Sequence, residues 1–127
     1  MGENKEYVTQ TDELGNIHIS EDVLAVISTA AALEVEGVSG IPGGSRDLAE
    51  LLGKKNLTRG VHIQVEEDGV QVELGIMIKY GYTINEVARA VQDAVATNIE
   101  SMSNLTVKSV NINIGGITFD KEGKSAE

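Results

Sequence analysis

The stretch Val61-His62-Ile63-Gln64-Val65-Glu66-Glu67-Asp68-Gly69-Val70-Gln71-Val72-Glu73-Leu74-Gly75-Ile76-Met77-Ile78-Lys79 decides the fold. Val61, Ile63 and Val65 alternate with His62, Gln64 and Glu66. Val70, Val72, Leu74, Ile76 and Ile78 alternate with Gln71, Glu73, Gly75, Met77 and Lys79. Successive strand side chains point to opposite faces, so this period of two describes two strands, each with an aliphatic and a polar face. Asp68-Gly69 between them is a hairpin turn signal. The aliphatic face must be covered, whereas the polar face, apolar only at Met77, meets solvent or a partner.

The covering elements lie on both sides of the hairpin. Downstream, Thr83 and Glu86 have capping-box spacing. Ile84, Val87, Ala88, Val91, Val95, Ile99 and Met102 then recur at helical spacing, so a helix is predicted to about Met102. Val110, Ile112 and Ile114 alternate with Ser109, Asn111 and Asn113 as a last strand. Gly115-Gly116 interrupts it, with Ile117-Thr118-Phe119 as an extension beyond a bulge. Upstream, Ile17 and Ile19 mark a short strand. Ser20 follows as a helix N-cap, with Glu21 and Asp22 in the first turn, where the helix dipole favours acids. That helix is predicted to reach about Glu36, burying Val23, Val26, Ile27, Ala30, Ala31 and Leu33, with Gly37 ending it. Residues 37–60 form a glycine-rich connector holding Pro42, with one or two helical turns over 47–52.

The order is therefore β-α-β-β-α-β. The fold class expected is α+β: a two-layer domain with two helices packed on one face of a small, three- to four-stranded sheet. It occupies residues 15–119 as a single domain, between a flexible acidic tail (1–14) and a flexible charged tail (120–127). The strand order stays open.

Composition narrows the function. The chain has 127 residues, 41% of them hydrophobic, which is enough for one core. Three Tyr and one Phe are its only aromatics, so aliphatic side chains build that core. The absence of cysteine excludes disulfides, thiolate metal sites and cysteine nucleophiles. With 20 acidic residues against 10 basic, the net charge is −10 and the pI about 4.6. A nucleic-acid binder needs a basic face for phosphate contacts, so none is expected as partner. The start of the chain carries no export signal and no run of 18 apolar residues occurs, which points to a soluble cytoplasmic protein without a transmembrane segment. Charge is uneven, however. Arg46, Lys54, Lys55 and Arg59 put four of the ten basic residues into positions 46–59, against two acids.

No arrangement of residues announces chemistry. His18 and His62 each stand alone on an alternating strand, and Glu66-Glu67-Asp68 reads as a solvated hairpin tip. Gly123-Lys124-Ser125 resembles the end of a phosphate-binding loop, but Thr118 stands where the leading glycine belongs. No catalytic, cofactor-binding or metal-binding residue is assigned, and an enzyme is not expected. Gly37-Val38-Ser39-Gly40 and Gly40-Ile41-Pro42-Gly43 both match the G-x-x-G loop of KH domains, which makes a KH-like nucleic-acid-binding module the alternative reading. Surfaces carry the main one. His62, Gln64, Gln71, Met77, Asn111 and Asn113 on the polar sheet face form a candidate self-association face, because amides and a methionine tolerate burial better than lysines do. Arg46, Lys54, Lys55 and Arg59 form a candidate docking site for an acidic partner or anionic lipid headgroups.

Three stretches together resemble a known family. They are Gly15-Asn16-Ile17-His18-Ile19 leading through Val23-Leu24-Ala25-Val26-Ile27, Ala31 and Val35 to Gly37-Val38; Leu51-Leu52-Gly53-Lys54-Lys55-Asn56-Leu57 with Arg59-Gly60-Val61; and Tyr80-Gly81-Tyr82-Thr83-Ile84 followed by Val87, Val91-Gln92, Val95, Met102 and Val110-Asn111-Ile112. As an ordered set over residues 14–119 they resemble the alkaline shock protein family, the Gls-type envelope-stress proteins of Gram-positive bacteria. The resemblance implies a non-enzymatic protein of envelope stress or homeostasis, without catalytic residues or cofactors. It implies self-association and docking to a membrane-anchored protein partner, at the inner face of the cell membrane.

Overall fold

The computed structural model describes residues 7–42 and 60–119. Eight elements follow in order: β1 (Tyr7–Asp12), β2 (Gly15–Ser20), α1 (Glu21–Leu33), β3 (Val38–Gly40), β4 (Val61–Glu66), β5 (Gly69–Lys79), α2 (Ile84–Ser103) and β6 (Val107–Thr118). The α+β class, the two helices and the strand–strand–helix–strand run are those the hydrophobic periods predict. Two strands are additional.

The first is β1. Residues 7–12, expected to belong to a loose tail, pair antiparallel with β2 as a hairpin. The flanking acids suggested a tail, but Tyr7-Val8-Thr9-Gln10-Thr11 is rich in strand-forming residues. Half-buried Val8 and Ile19 pack against the core, and Gln10 Nε2 donates to the Ser103 carbonyl at 2.6 Å, tying the hairpin to the end of α2. The second is β3, three residues expected to be connector. It pairs with β5 at Ile78 and Met77, and Lys79 N–H donates to the Gly37 carbonyl. A three-residue strand is too short for its period to show in sequence.

Strand β5 is the axis of the main sheet. Along one edge it pairs antiparallel with β4 over residues 69–74 and with β3 at 77–78. Along the other it pairs parallel with β6 from Val70↔Val107 to Lys79↔Thr118, the register shifting near both ends. Gly115 is the residue skipped between Ile76↔Ile114 and Met77↔Gly116, which is the bulge the Gly-Gly step predicts. Parallel pairing needs a crossover, and α2 supplies it.

Both helices cover the same sheet face, α1 over β4 and α2 over β6, touching each other. Val70, Val72, Leu74, Ile76 and Ile78 of β5 are fully buried beneath them, as are Val91, Val95 and Ile99 of α2. The ends of the predicted α2 stripe, Ile84 and Met102, are exposed. In α1 the buried face is rotated from the expected one. Leu24, Ala25, Ser28, Thr29 and Ala32 join Ile27, Ala31 and Leu33 inside, whereas Val23 is 48% exposed. Small residues around the helix let it sit close to both β4 and α2, which widens its buried surface beyond one stripe.

The caps are asymmetric. Ser20 Oγ accepts from Val23 N–H at 3.3 Å, as its position predicts. Thr83 stands at the N-cap of α2, but its side chain makes no capping bond. Helix α1 stops at Leu33, short of Glu36, and Gly37 takes the turn into β3 at φ +100°. A Cβ there would lie 2.7 Å from Val87 and 2.9 Å from Tyr82, so glycine is required by space as well as by conformation. Asn104 ends α2 in the left-handed conformation.

Val91→Asp buries an unpaired charge and is expected to cost more than about 4 kcal/mol, abolishing the cooperative thermal transition. Val23→Asp is expected to shift stability by no more than about 0.5 kcal/mol. Circular dichroism melts of both separate the observed α1 face from the expected one. The hydroxyl of Thr29 is buried without a hydrogen-bond partner. Thr29→Val is therefore expected to stabilise the fold by about 1 kcal/mol, read as a raised Tm.

Candidate functional site

The outer face of the main sheet is the face that neither helix covers. Strand alternation and register place His62 and Gln64 of β4, Gln71 and Met77 of β5, and Asn111 and Asn113 of β6 together on it. All six predicted face residues therefore share one surface. His62, Gln64, Asn111 and Asn113 are exposed, and Gln71 and Met77 half-buried.

The face is less neutral than the six residues alone suggest. Glu73 stands exposed between His62 and Asn111 in the register, and Asn113 Nδ2 donates to its carboxylate at 2.9 Å. Toward the hairpin tip, Lys108 Nζ bridges Glu66 at 2.7 Å and Asp68 at 3.0 Å. Gln71 Nε2 donates to Glu66 at 2.5 Å, and Ser109 Oγ to Gln71 Oε1 at 3.4 Å. Polar groups here are held by one another across three strands. The two carboxylates hold the Lys108 ammonium above its ordinary pKa, and the hydrogen bond from Lys108 holds Asp68 below its own.

The opposite end of the face is a glycine floor. A Cβ on Gly75 would lie 3.4 Å from Pro42, one on Gly115 2.9 Å from Pro42, and one on Gly116 2.9 Å from the Met77 methyl. Pro42 and Met77 thus lie directly on backbone, and the chain leaves the described region at Pro42 on this outer face. Sequence reasoning did not single out Pro42 as part of the face. Three glycines, Gly75 on β5 and Gly115-Gly116 on β6, are its only trace in the sequence.

The predicted docking residues Arg46, Lys54, Lys55 and Arg59, and the helical turns over 47–52, lie outside the described residues. Their concentration nonetheless has a structural counterpart. Among the described residues the only basic side chains are Lys79, Arg89 and Lys108, against 13 Asp and Glu. The body of the domain is acidic, and its basic charge is relegated to the segments around it.

The first G-x-x-G pair serves packing. Gly37 is wedged against Tyr82 and Val87, while Val38 and Gly40 are buried in β3, so this loop presents no backbone for a nucleic acid to meet. A cleft of about 200 Å³ beside the start of α1 is lined by Glu21, Asp22 and His62. Among the described residues no group of three His, Asp or Glu side chains is placed to hold a metal ion. No helix among them is long and apolar enough to cross a membrane.

An acidic two-layer α+β domain, with one sheet face that no helix among the described residues covers, is the class these features define. The chain belongs to the alkaline shock protein 23 family, of cell envelope-related function, whose model matches residues 9–119. It is 31% identical over 115 residues to YqhY of Bacillus subtilis, covering 90% of this chain and 85% of that one. It is 34% identical over 106 residues to YloU of the same organism, covering 81% and 88%. It is 33% identical over 115 residues to Spy1535 of Streptococcus pyogenes serotype M6, covering 90% and 88%. All three are described as uncharacterized proteins. No solved structure matches the chain.

Replacing Lys108 tests the network on the face. Asp68 gains its charged form from Lys108, so its contribution to stability is present above the ordinary carboxylate pKa and fades as pH falls through the lowered one. In Lys108→Ala the Asp68 pKa is expected to rise, while a backbone hydrogen bond still holds it below the ordinary value, measured by NMR titration of its side-chain carboxyl. Both groups are solvent-exposed, so the midpoint of thermal unfolding should hardly move.

Proposed function

We propose that this protein is a non-enzymatic interaction module of cell-envelope stress response or homeostasis, which self-associates and docks to a membrane-anchored protein partner at the cytoplasmic face of the membrane. The observation that carries this reading is the outer sheet face, which no helix among the described residues covers. Its six predicted residues converge on one surface, in a family of cell envelope-related function. Amides and a methionine on a sheet face are better suited than lysines to burial against another protein, since a neutral amide costs less to desolvate than an ammonium and methionine is enriched in interfaces. The outer face is the self-association surface in this reading. Arg46, Lys54, Lys55 and Arg59, in the sequence that follows Pro42, are the docking residues for an acidic partner in this reading.

A nucleic-acid role gains nothing from the geometry. The described surface is acidic, and phosphate binding draws its affinity from basic contacts.

Light scattering over a range of concentrations tests self-association, and a strict monomer throughout would refute it. Lys54→Glu combined with Lys55→Glu tests docking. The double variant is expected to keep the wild-type melting curve and to recover at least about tenfold less membrane-anchored partner in a pull-down, in keeping with the loss of several charge contacts at about 1 kcal/mol each. Undiminished recovery would remove the connector as the docking site.

A further inference from the structure

Strand β6 is an edge. It pairs with β5 on one side, and on the other no strand among the described residues pairs with it. An unpaired edge is a row of free backbone donors and acceptors, and proteins that must not associate through it blunt it with charge, proline or brevity. This edge is 12 residues long and contains no proline. From Ser109 to Phe119 it runs eleven residues without a charge, in a chain of net charge −10, with Lys108 and Asp120 just outside. The other edge is unlike it: β4 has six residues, including His62 and Glu66, and lies beside α1.

The free side of β6 can be assigned residue by residue. Gln92 Nε2, from α2, donates to the Val110 carbonyl at 3.0 Å, so Val110 directs its carbonyl away from β5. Backbone groups alternate along a strand, so Ile112 and Ile114 face the open side as well. A groove of about 560 Å³ runs alongside, lined by Arg89, Gln92, Asp93 and Ala96 of α2 and by Val107 and Val110 of β6.

We infer that β6 pairs antiparallel with β6 of a second copy of this chain, joining two main sheets into one. This rests on the self-association proposed above and gives it a second contact, distinct from the outer face. The occupant follows from self-complementarity. About a two-fold axis at Ile112, Ile112 meets Ile112, Val110 meets Ile114 and Asn111 meets Asn113. Apolar side chains stay on the helix side, amides on the outer side, and no like charges oppose. Each isologous contact satisfies both copies at once. The Gln92 bond to Val110 is exchanged for a backbone bond when the edges meet.

The chain lacks cysteine, so one introduced thiol reports the contact without background. Paired residues facing each other across an antiparallel ladder lie at a Cα separation of roughly 5.5 Å, within disulfide range. Full-length Ile112→Cys is expected to form a disulfide-linked dimer under mild oxidation, whereas Leu14→Cys, exposed at the β1–β2 turn and outside both proposed contacts, is not. Ile112→Pro removes an edge donor without breaking the ladder to β5 and is expected to weaken association at least about tenfold by analytical ultracentrifugation, with a retained circular dichroism spectrum. If the wild type associates but Ile112→Cys does not cross-link, the edge contact is overturned and self-association by the outer face stands. If the wild type is monomeric at every concentration, both fall.

Discussion

Val70, Val72, Leu74, Ile76 and Ile78 have no exposed surface, and every other element is placed by what they require. Each buried aliphatic side chain contributes about 1.5–3 kcal/mol. Five on one strand therefore contribute an amount comparable with the whole net stability of a small domain, about 5–15 kcal/mol. Two helices are needed to cover the row, since β5 has neighbours on both edges. With α1 and α2 committed to that side, no helix among the described residues covers the opposite face, and the candidate interaction surface is a consequence of how the core is closed.

That constraint also explains the distribution of charge. Thirteen acids and three bases decorate the described residues, and the acids sit on exposed helix faces, turns and strand ends. On the outer face Lys108 is held by Glu66 and Asp68, and Glu73 by Asn113. Along β6 there are no charges from Ser109 onward. An acidic protein repels its own copies, and the uncharged edge of β6 adds nothing to that repulsion.

Much of this was legible in the sequence because it depends on period alone. The β4–β5 alternation, the α2 stripe of Val87, Val91, Val95 and Ile99, the Ser20 cap and the Gly115 bulge all follow from local rules. The shared placement of His62, Gln64, Gln71, Met77, Asn111 and Asn113 follows from the same alternation once register is known. What was misread had no local signal strong enough. Residues 7–12 looked like a tail because a hairpin strand is recognised by its partner, and β3 was too short to show a pattern. Val23 was assigned to the core because a helix so rich in alanine has no single apolar stripe. Only the close approach of α1 to β4 and α2 selects which side is buried.

The sequence by itself determined the α+β class, the two helices, the central hairpin, the acidic charge with its basic connector and the residues of the polar face. These are one-dimensional properties, set by the spacing of side chains along the chain. Tertiary structure decided that β6 joins β5 in parallel and ends the sheet, that Pro42 lies on the glycine floor, and that Gly37 is locked between Tyr82 and Val87. Those depend on pairing and contact between residues far apart in the chain, where the fit of surfaces brought together by the core, and no local propensity, selects the arrangement.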